Sequence, residues 1–519
     1  MRVKKASLNV VVNFITFILG ALPAFFVRKA LLDSLGNDYL GLSSLYTSII
    51  GVLSIVELGI GSAIIYSLYK PFAEGDKPRM LGYLQFYRRF YHIVGLIIFG
   101  LGLATIPFLR FFIQDEIQLL DAAMYFILFL INTLISYFFS YKLCMLTVAQ
   151  DGYKISIAMT ASKLIIAILH YLLLTIYPDF YLYLLIQIVI NAVYFIFMNR
   201  YINKKYAWVQ QLQDGVLEEN EKKSLLKNIK ALFFHKIGGV LVLGTDNLII
   251  STTINLTVVG IYNSFMLVIG SIQGLISHAF SGITASVGNL LATGNEEDAY
   301  KVHQKLFFLN FWLASFATIF LYNTLSQFVS IWLGADQKLD ALSLNIILIN
   351  FYFFLMRASV ERFKESGGIY YQDRYAPVYE ALINLAASIL LVNWIGLAGV
   401  FIGTLISNLA VIFWVKPKMV YTYIFKKKLR AYFLMYFKYL AIGLIPFFLT
   451  HIITNDIKEE TSIYALVANG AINIILINGL YLLIFWRNKE FTYFKEMALT
   501  ILRKVMYLSL RKKKTMSGN

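Results

Sequence analysis

The chain is predicted to be an all-α polytopic membrane protein with about fourteen transmembrane helices, arranged as two pseudo-symmetric six-helix lobes followed by two C-terminal helices. Three observations predict this. First, 59% of the 519 residues are hydrophobic and 14% are charged, whereas an average soluble domain carries about 25% charged residues. Second, apolar runs repeatedly exceed the ~20 residues that a helix needs to cross ~30 Å of hydrocarbon, and the period-2 alternation of a membrane barrel is absent. Third, one stretch occurs twice. LLDSLGNDYLGLSSLYTSIIG from Leu31 and IISTTINLTVVGIYNSFMLVIG from Ile249 keep register after one inserted residue, so that Gly41 falls on Gly260, Gly51 on Gly270 and Gly75 on Gly294. Two similar multi-helix halves in one membrane chain are the signature of a transporter whose halves rock about a site between them.

In chain order the spans are expected near 8–32, 39–69, 84–113, 118–148, 153–177, 179–200, 227–254, 257–291, 301–333, 340–364, 375–394, 397–422, 431–452 and 463–486. Pro23 is expected to kink the first without breaking it, because neighbouring helices can satisfy the freed carbonyl. Arg2, Lys4 and Lys5 precede a long apolar run, but Arg28 and Lys29 stand where a cleavage site would fall, so the run reads as an uncleaved first span and not as a signal peptide. The spans group into a first lobe over 1–203, a linker over 204–226, a second lobe over 227–425, and the last two spans with a basic tail over 426–519. The linker region, including QQLQDGVLEENEKKSLLKNIK, is expected to be partly helical along the membrane surface.

The net charge of +17 sits in loops and so reports topology, not nucleic-acid binding. Lys70, Lys77 and Arg79, then Arg200, Lys204, Lys205, Lys222 and Lys223, then Lys426, Lys427, Lys428 and Arg430, and finally Arg511 to Lys514 fall on one side. The opposite connectors DSLGND, QDEI, YPDF, INL, GADQK, NWIG and TNDIKEE hold only Lys338 and Lys458 among several acids. The positive-inside rule then places both termini in the cytoplasm. A single cysteine, Cys144, excludes an intrachain disulfide.

Ionisable residues inside spans cost about 2.5–3.5 kcal/mol at the bilayer centre, so each is a functional candidate. Glu57, in SIVELGIGSAII, is expected to be either paired with a neighbouring helix or turned to a wet lumen. Arg28 and Lys29 lie toward the outer end of span one, with Asp246 at the approximate repeat position in span seven. The two charges suit an inter-lobe gate, Arg28 suits a phosphate ligand, and both cations also suit snorkelling to headgroups. Lys163 and His170 share one face of span five, and His278 is a further polar point in span eight. His235, Lys236 and Lys142 read as snorkelling residues near span ends. Arg357, Glu361, Arg362 and Lys364 crowd the inner end of span ten, where the spacing puts Arg357, Glu361 and Lys364 on one face able to receive an anionic headgroup. The tyrosines and phenylalanines bracketing the spans read as an interfacial belt. No phosphate-binding Gly-rich loop, HExxH or Ser/His/Asp pattern occurs, and the outer loops are too short for a catalytic domain, so neither an ATP-driven pump nor a membrane enzyme is expected.

LGALPAFFVRKALLDSLGNDYLGLSSLYTSIIGVLSIVELGIGSAIIYSLYK, and later DRYAPVYEALINLAASILLVNWIGLAGVFIGTLISNL, resemble the polysaccharide-exporter (Wzx-type) branch of the multidrug/oligosaccharidyl-lipid/polysaccharide (MOP) flippase superfamily. The resemblance covers spans one to twelve and is most specific over Gly396 to Ser407. It implies two six-helix lobes about a cationic cavity in a bacterial plasma membrane. It also implies translocation of undecaprenyl-pyrophosphate-linked oligosaccharide for capsule, O-antigen or exopolysaccharide assembly, with a polymerase and glycosyltransferases as partners. Arg28, Lys163 and His278 would then meet phosphate, Arg357 and Arg362 an arriving headgroup. Glu57 or Asp246 would serve proton or sodium coupling, and no other cofactor is expected. The last two spans depart from a twelve-span plan; related lipid II flippases have fourteen, the extra pair bordering a lipid groove, which leaves a peptidoglycan precursor as an alternative cargo. A multidrug cation antiporter of the same superfamily is the other alternative, disfavoured because basic intramembrane residues are at least as prominent as acids.

Overall fold

The computed structural model describes residues 2–57, 59–113, 117–211, 215, 217–369, 371–497, 499–500 and 503, and within these it leaves out the side chains at 2–7, 56, 228, 231–232, 234–243, 279, 281–286 and 292–293. The basic run Arg511–Lys514, connector residues 114–116 and the side chains of His235 and Lys236 therefore fall outside the described residues.

Every regular element among the described residues is a helix. The fourteen expected spans appear as α1 (Arg2–Leu35), α2 (Asn37–Leu53) with α3 (Ile60–Glu74), α4 (Lys77–Thr105) with the short α5 (Arg110–Ile113), α6 (Leu119–Phe139) with α7 (Cys144–Val148), α8 (Gly152–Ile176) and α9 (Phe180–Lys205) in the first half. In the second half they are α10 (Glu219–Thr253), α11 (Leu256–Thr293), α12 (Glu296–Leu333), α13 (Ala341–Met356) with α14 (Ala358–Ser366), α15 (Ala376–Ile395), and α16 (Leu397–Ser407) with α17 (Phe413–Tyr423). The chain ends on α18 (Leu429–Thr454) and α19 (Ile463–Phe485). Twelve helices among the described residues are long and apolar enough to cross a membrane. The other two expected spans are the interrupted pair α2–α3 and α10, which carries Lys236, Asp246 and Asn247 within its apolar stretch.

As expected, the first helix runs through Pro23 without a break. Other local features depart from the expected plan. The second span breaks into a 3-10 turn over Ser54–Glu57 and resumes after Gly59, whose φ of 93° lies in the left-handed region that glycine adopts without Cβ strain. The twelfth span carries a π-helical turn over Asn408–Ile412 between α16 and α17. Among its described residues the linker is partly helical, with a 3-10 turn over Ala207–Gln210. A capping box between Glu218 and Glu221 starts α10 at Glu219, so its second part is already the beginning of the seventh span. Trp208, Val209, Leu217 and Leu225 pack with Leu81, Tyr83 and Leu84 of α4, and Arg79 pairs with Glu221.

The two halves pack alike. The neighbours α1·α8, α4·α6, α6·α9 and α8·α9 have as counterparts, six spans later, α10·α15, α12·α13, α13·α16 and α15·α16. The contacts between halves obey the same relation: α1 meets α11 as α10 meets α2, and α2 meets α11 directly. This is the pattern of a pseudo-two-fold axis passing through the α2·α11 crossing. Gly41 and Gly260, the residues aligned by the sequence repeat, lie at that crossing. A Cβ added at Gly41 would fall 2.1 Å from the Leu256 carbonyl oxygen, and one at Gly260 would fall 2.6 Å from that of Asn37. Only glycine permits so close a backbone approach.

One apolar core runs through the second half and on into α18 and α19, where Tyr432, Tyr436, Tyr439, Tyr481 and Phe485 join Phe307, Phe308 and Phe311 of α12. Buried amides fasten the C-terminal pair to α12. Asn323 donates to Asn473 Oδ1 (2.7 Å) and Thr450 Oγ1 (3.0 Å), Asn469 donates to Gln327 Oε1 (3.0 Å), and Asn473 donates to Asn469 Oδ1 (2.8 Å). Polar bonds of this kind join helices where apolar lipid supplies no hydrophobic drive.

Candidate functional site

The connector at Gly36 and the connector at Gly75 mark opposite faces of the helical assembly, the first expected outside and the second inside. Near the Gly36 face, between α1 and α2 of the first lobe and α10 and α11 of the second, lies a cavity of about 330 Å³. Its polar wall consists of Arg28, Ser43, Ser44, Thr47, Ser48, Tyr183, Asn247 and Asn263, and no carboxylate is among the described residues lining it.

The four hydroxyl residues follow an i, i+1, i+4, i+5 spacing that puts them on one face of α2. Two of them satisfy their own helix, Ser44 bonding to Leu40 O (2.9 Å) and Thr47 to Ser43 O (2.8 Å). Ser48 accepts from Asn247 Nδ2 (2.9 Å) across the lobes, and Asn247 Oδ1 accepts from Asn263 Nδ2 (2.8 Å). Arg28 spans the lobes as well. Its Nε donates to Ser264 Oγ and its Nη2 to Gly260 O, both at 2.7 Å. Together with Thr257 Oγ1 donating to Asp38 Oδ1 (2.6 Å), these bonds close the assembly at the Gly36 face. Arg28 thus holds two neutral partners, and its charge is unbalanced by any acid on the cavity wall.

The remaining candidates occupy different places. His170 is buried behind the cavity: its ring stacks on Tyr183 at 3.6 Å and its Nε2 lies 2.9 Å from Tyr183 O, so it supports a residue that lines the wall. Lys163 is not in the lining; it is exposed and lays its stem across Gly20 of α1, so it and His170 do not act together on the cavity. His278 packs its ring against Phe17 of α1 at 4.8 Å, a second α1·α11 contact deeper in the molecule. The Arg28–Asp246 gate is not formed in this conformation. Arg28 is satisfied from α11, while Asp246 is buried within electrostatic reach of Tyr262, its Oδ1 without a partner among the described residues. Glu57 sits at the α2–α3 break and accepts from Tyr91 Oη (3.3 Å), amid the packed rings of Tyr87, Tyr91 and Tyr137.

The cluster near α13–α14 is differently wired from the face expected of it. Arg357 meets Glu361 (3.0 Å) and reaches Glu380 (4.0 Å), and Glu361 also pairs with Lys416 of α17. Lys364 turns instead to the buried Asp373, and Arg362 to Glu365 (3.2 Å). The two central cations are therefore already matched by two acids. What charge-seeking missed in the sequence is the neutral wall, Ser43 to Ser48 with Asn247 and Asn263; the hydroxyl periodicity of α2 was its visible signal.

No protein-family model matches the chain, and no curated protein matches it in sequence. Solved structures do match it in shape. A lipid II flippase MurJ in an inward closed conformation superposes with a TM-score of 0.68 at 11% identity, over 92% of this chain and 99% of that one. This chain has the MOP-transporter fold. Two further members share that fold: an inward-facing multidrug resistance MATE transporter (TM-score 0.57, 15% identity, 77% of this chain and 95% of that chain), and a MOP transporter from Pyrococcus furiosus described as having a binding pocket of reverse polarity (TM-score 0.53, 14% identity, 81% and 96%). Within the MOP fold the Arg28 cavity occupies the space between the lobes.

Proposed function

We propose that the chain is a flippase that carries undecaprenyl-pyrophosphate-linked oligosaccharide units across a bacterial plasma membrane for cell-surface polysaccharide assembly, with its Gly36 face outward and both termini in the cytoplasm. The observation that carries this reading is the guanidinium of Arg28, held by neutral partners in an inter-lobe cavity without a lining acid. A cationic wall suits an anionic head, whereas a drug cation would need a carboxylate there. A phosphate entering the cavity competes with Gly260 O and Ser264 Oγ for the guanidinium, which forms stronger, bidentate bonds with phosphate oxygens. Cargo binding thereby undoes the contact that keeps the Gly36 face shut, and the lobes are free to rock. The sugars meet the hydroxyl and amide wall of α2, α10 and α11, and the prenyl chain stays in lipid. Asp246, buried without a cation, and Glu57, at a helix break among tyrosines, are the carboxylates we assign to proton or sodium coupling.

A peptidoglycan-precursor lipid is the second reading, favoured by the 92% of this chain that superposes on the lipid II flippase against 77% for the multidrug transporter. Proteoliposomes loaded with either labelled lipid, scored by access to an added enzyme, test both. The expected result is flipping of the oligosaccharide lipid, reduced by about tenfold or more in Arg28→Ala, each tenfold being ~1.4 kcal/mol. Equal rates in protein-free vesicles would refute the reading, and preference for the peptidoglycan precursor would transfer it to the second cargo.

A further inference from the structure

On the opposite side of α1 from the polar cavity lies an apolar groove of about 740 Å³, walled by α1, α8 and α12. Leu22, Phe25, Phe26, Leu174, Phe328 and Trp332 supply its hydrocarbon surface, and Phe26 is 67% exposed, so the groove opens sideways at the protein surface. Its floor is the seam between the lobes, where Trp332 Nε1 donates to Phe25 O (3.2 Å) and the Phe25 ring packs on Trp332 (5.0 Å) and Phe328 (6.4 Å).

Polarity is graded along the groove. Its polar lining residues Lys29, Asp33, Ser34 and Thr175 all lie toward the Gly36 face, with Leu22 and Tyr171 deeper. From Leu22 to Asp33 is about 16 Å of helix at 1.5 Å per residue, close to one leaflet of a ~30 Å hydrocarbon core. A laterally open apolar channel at that depth is filled by hydrocarbon, and its length selects a chain from the Gly36-face leaflet.

The rim specifies the head. Lys29 Nζ and Asp33 Oδ2 lie 3.1 Å apart and are about half exposed, an i,i+4 pair of the weak surface kind that a ligand can replace. A cation and an anion one turn apart match a phosphate and an ammonium on one headgroup. We propose that this groove is a binding site for one phospholipid bearing a primary-ammonium headgroup, as in phosphatidylethanolamine. Its phosphate meets Lys29, its ammonium donates to Asp33, and one acyl chain lies against the Phe25–Trp332 seam. The site rests on the fold and is independent of which cargo is carried. Because its walls belong to both lobes, the bound chain props the seam in its closed arrangement.

The test uses the full-length protein in vesicles containing phosphatidylethanolamine with a diazirine group on one acyl chain, followed by mapping of the adducts. Adducts are expected on residues 22–26 and 171–174. Unlabelled phosphatidylethanolamine should compete about tenfold better than phosphatidylcholine or phosphatidylglycerol. Ala30→Trp, which fills the groove, should remove these adducts and spare those elsewhere. Asp33→Asn, at the exposed rim where folding is not at stake, should abolish the headgroup preference. Labelling spread evenly around the protein, or competition that favours phosphatidylglycerol, or a preference unchanged in Asp33→Asn, would overturn the proposal.

Discussion

The two roles proposed for Arg28, inter-lobe latch and phosphate ligand, separate experimentally. As a latch it contributes two short charge-assisted bonds to α11, each of a kind worth about 1.5–3 kcal/mol. Removing them in Arg28→Ala should raise the population open at the Gly36 face. Thr47→Cys, on the cavity wall in a Cys144→Ala background, should then react faster with a membrane-impermeant thiol reagent; an unchanged rate would mean that the latch holds nothing. Lys416 presents the opposite case, a cation whose role is structural. Lys416→Ala would leave Glu361 short of one partner in a half-buried cluster and should destabilise the protein by about 3 kcal/mol, read as a lowered Tm. A parallel Lys416→Met/Glu361→Gln double variant should recover most of that loss, because no unmatched charge remains. Arg28 was legible in the sequence because a guanidinium inside a span stands out. Lys416 was not, since a lysine near the inner end of a span is indistinguishable from a topogenic one until Glu361 is seen beside it.

At the scale of elements, the fourteen apolar runs fall on helices among the described residues, twelve of them long and apolar enough to cross a membrane, since length and hydropathy govern where a helix can satisfy its backbone in lipid. The interruptions were hidden. Ser54 to Glu57 reads as continuous apolar helix apart from its glutamate, and nothing in NLAVI announces a π turn. The start of α10 was written in the Glu218/Glu221 capping box but was masked by the polarity around it. Buried amides fix α18 and α19 to α12, and the groove described above lies between α1, α8 and α12. Asn323→Leu should strand Asn473 and Thr450 and cost about 1–3 kcal/mol, seen as earlier thermal unfolding in detergent with flipping by the folded fraction unchanged. Loss of flipping at full stability would make the amide ladder part of the moving machinery instead. Gly41→Ala should act on conformation and not on cargo. Its methyl cannot occupy the α2·α11 crossing 2.1 Å from a carbonyl, so the Gly36 face should stay open to the thiol reagent even without substrate.

For the molecule as a whole, one pair of the glycine repeat has a three-dimensional meaning: Gly41 and Gly260, which align in sequence, meet in space at the α2·α11 crossing that relates the lobes. That relation makes rocking the natural motion, because the contacts α1·α11 and α10·α2 exchange roles under it. The central claim is that cargo passes between the lobes and leaves through the Gly36 face. The most direct test is a reversible lock across that face at Asp38 and Thr257, whose side chains touch at 2.6 Å. The variant Asp38→Cys/Thr257→Cys in the Cys144→Ala background should flip lipid-linked oligosaccharide when reduced, stop when oxidised to the disulfide, and resume on re-reduction. Undiminished flipping by the fully cross-linked protein would contradict the account.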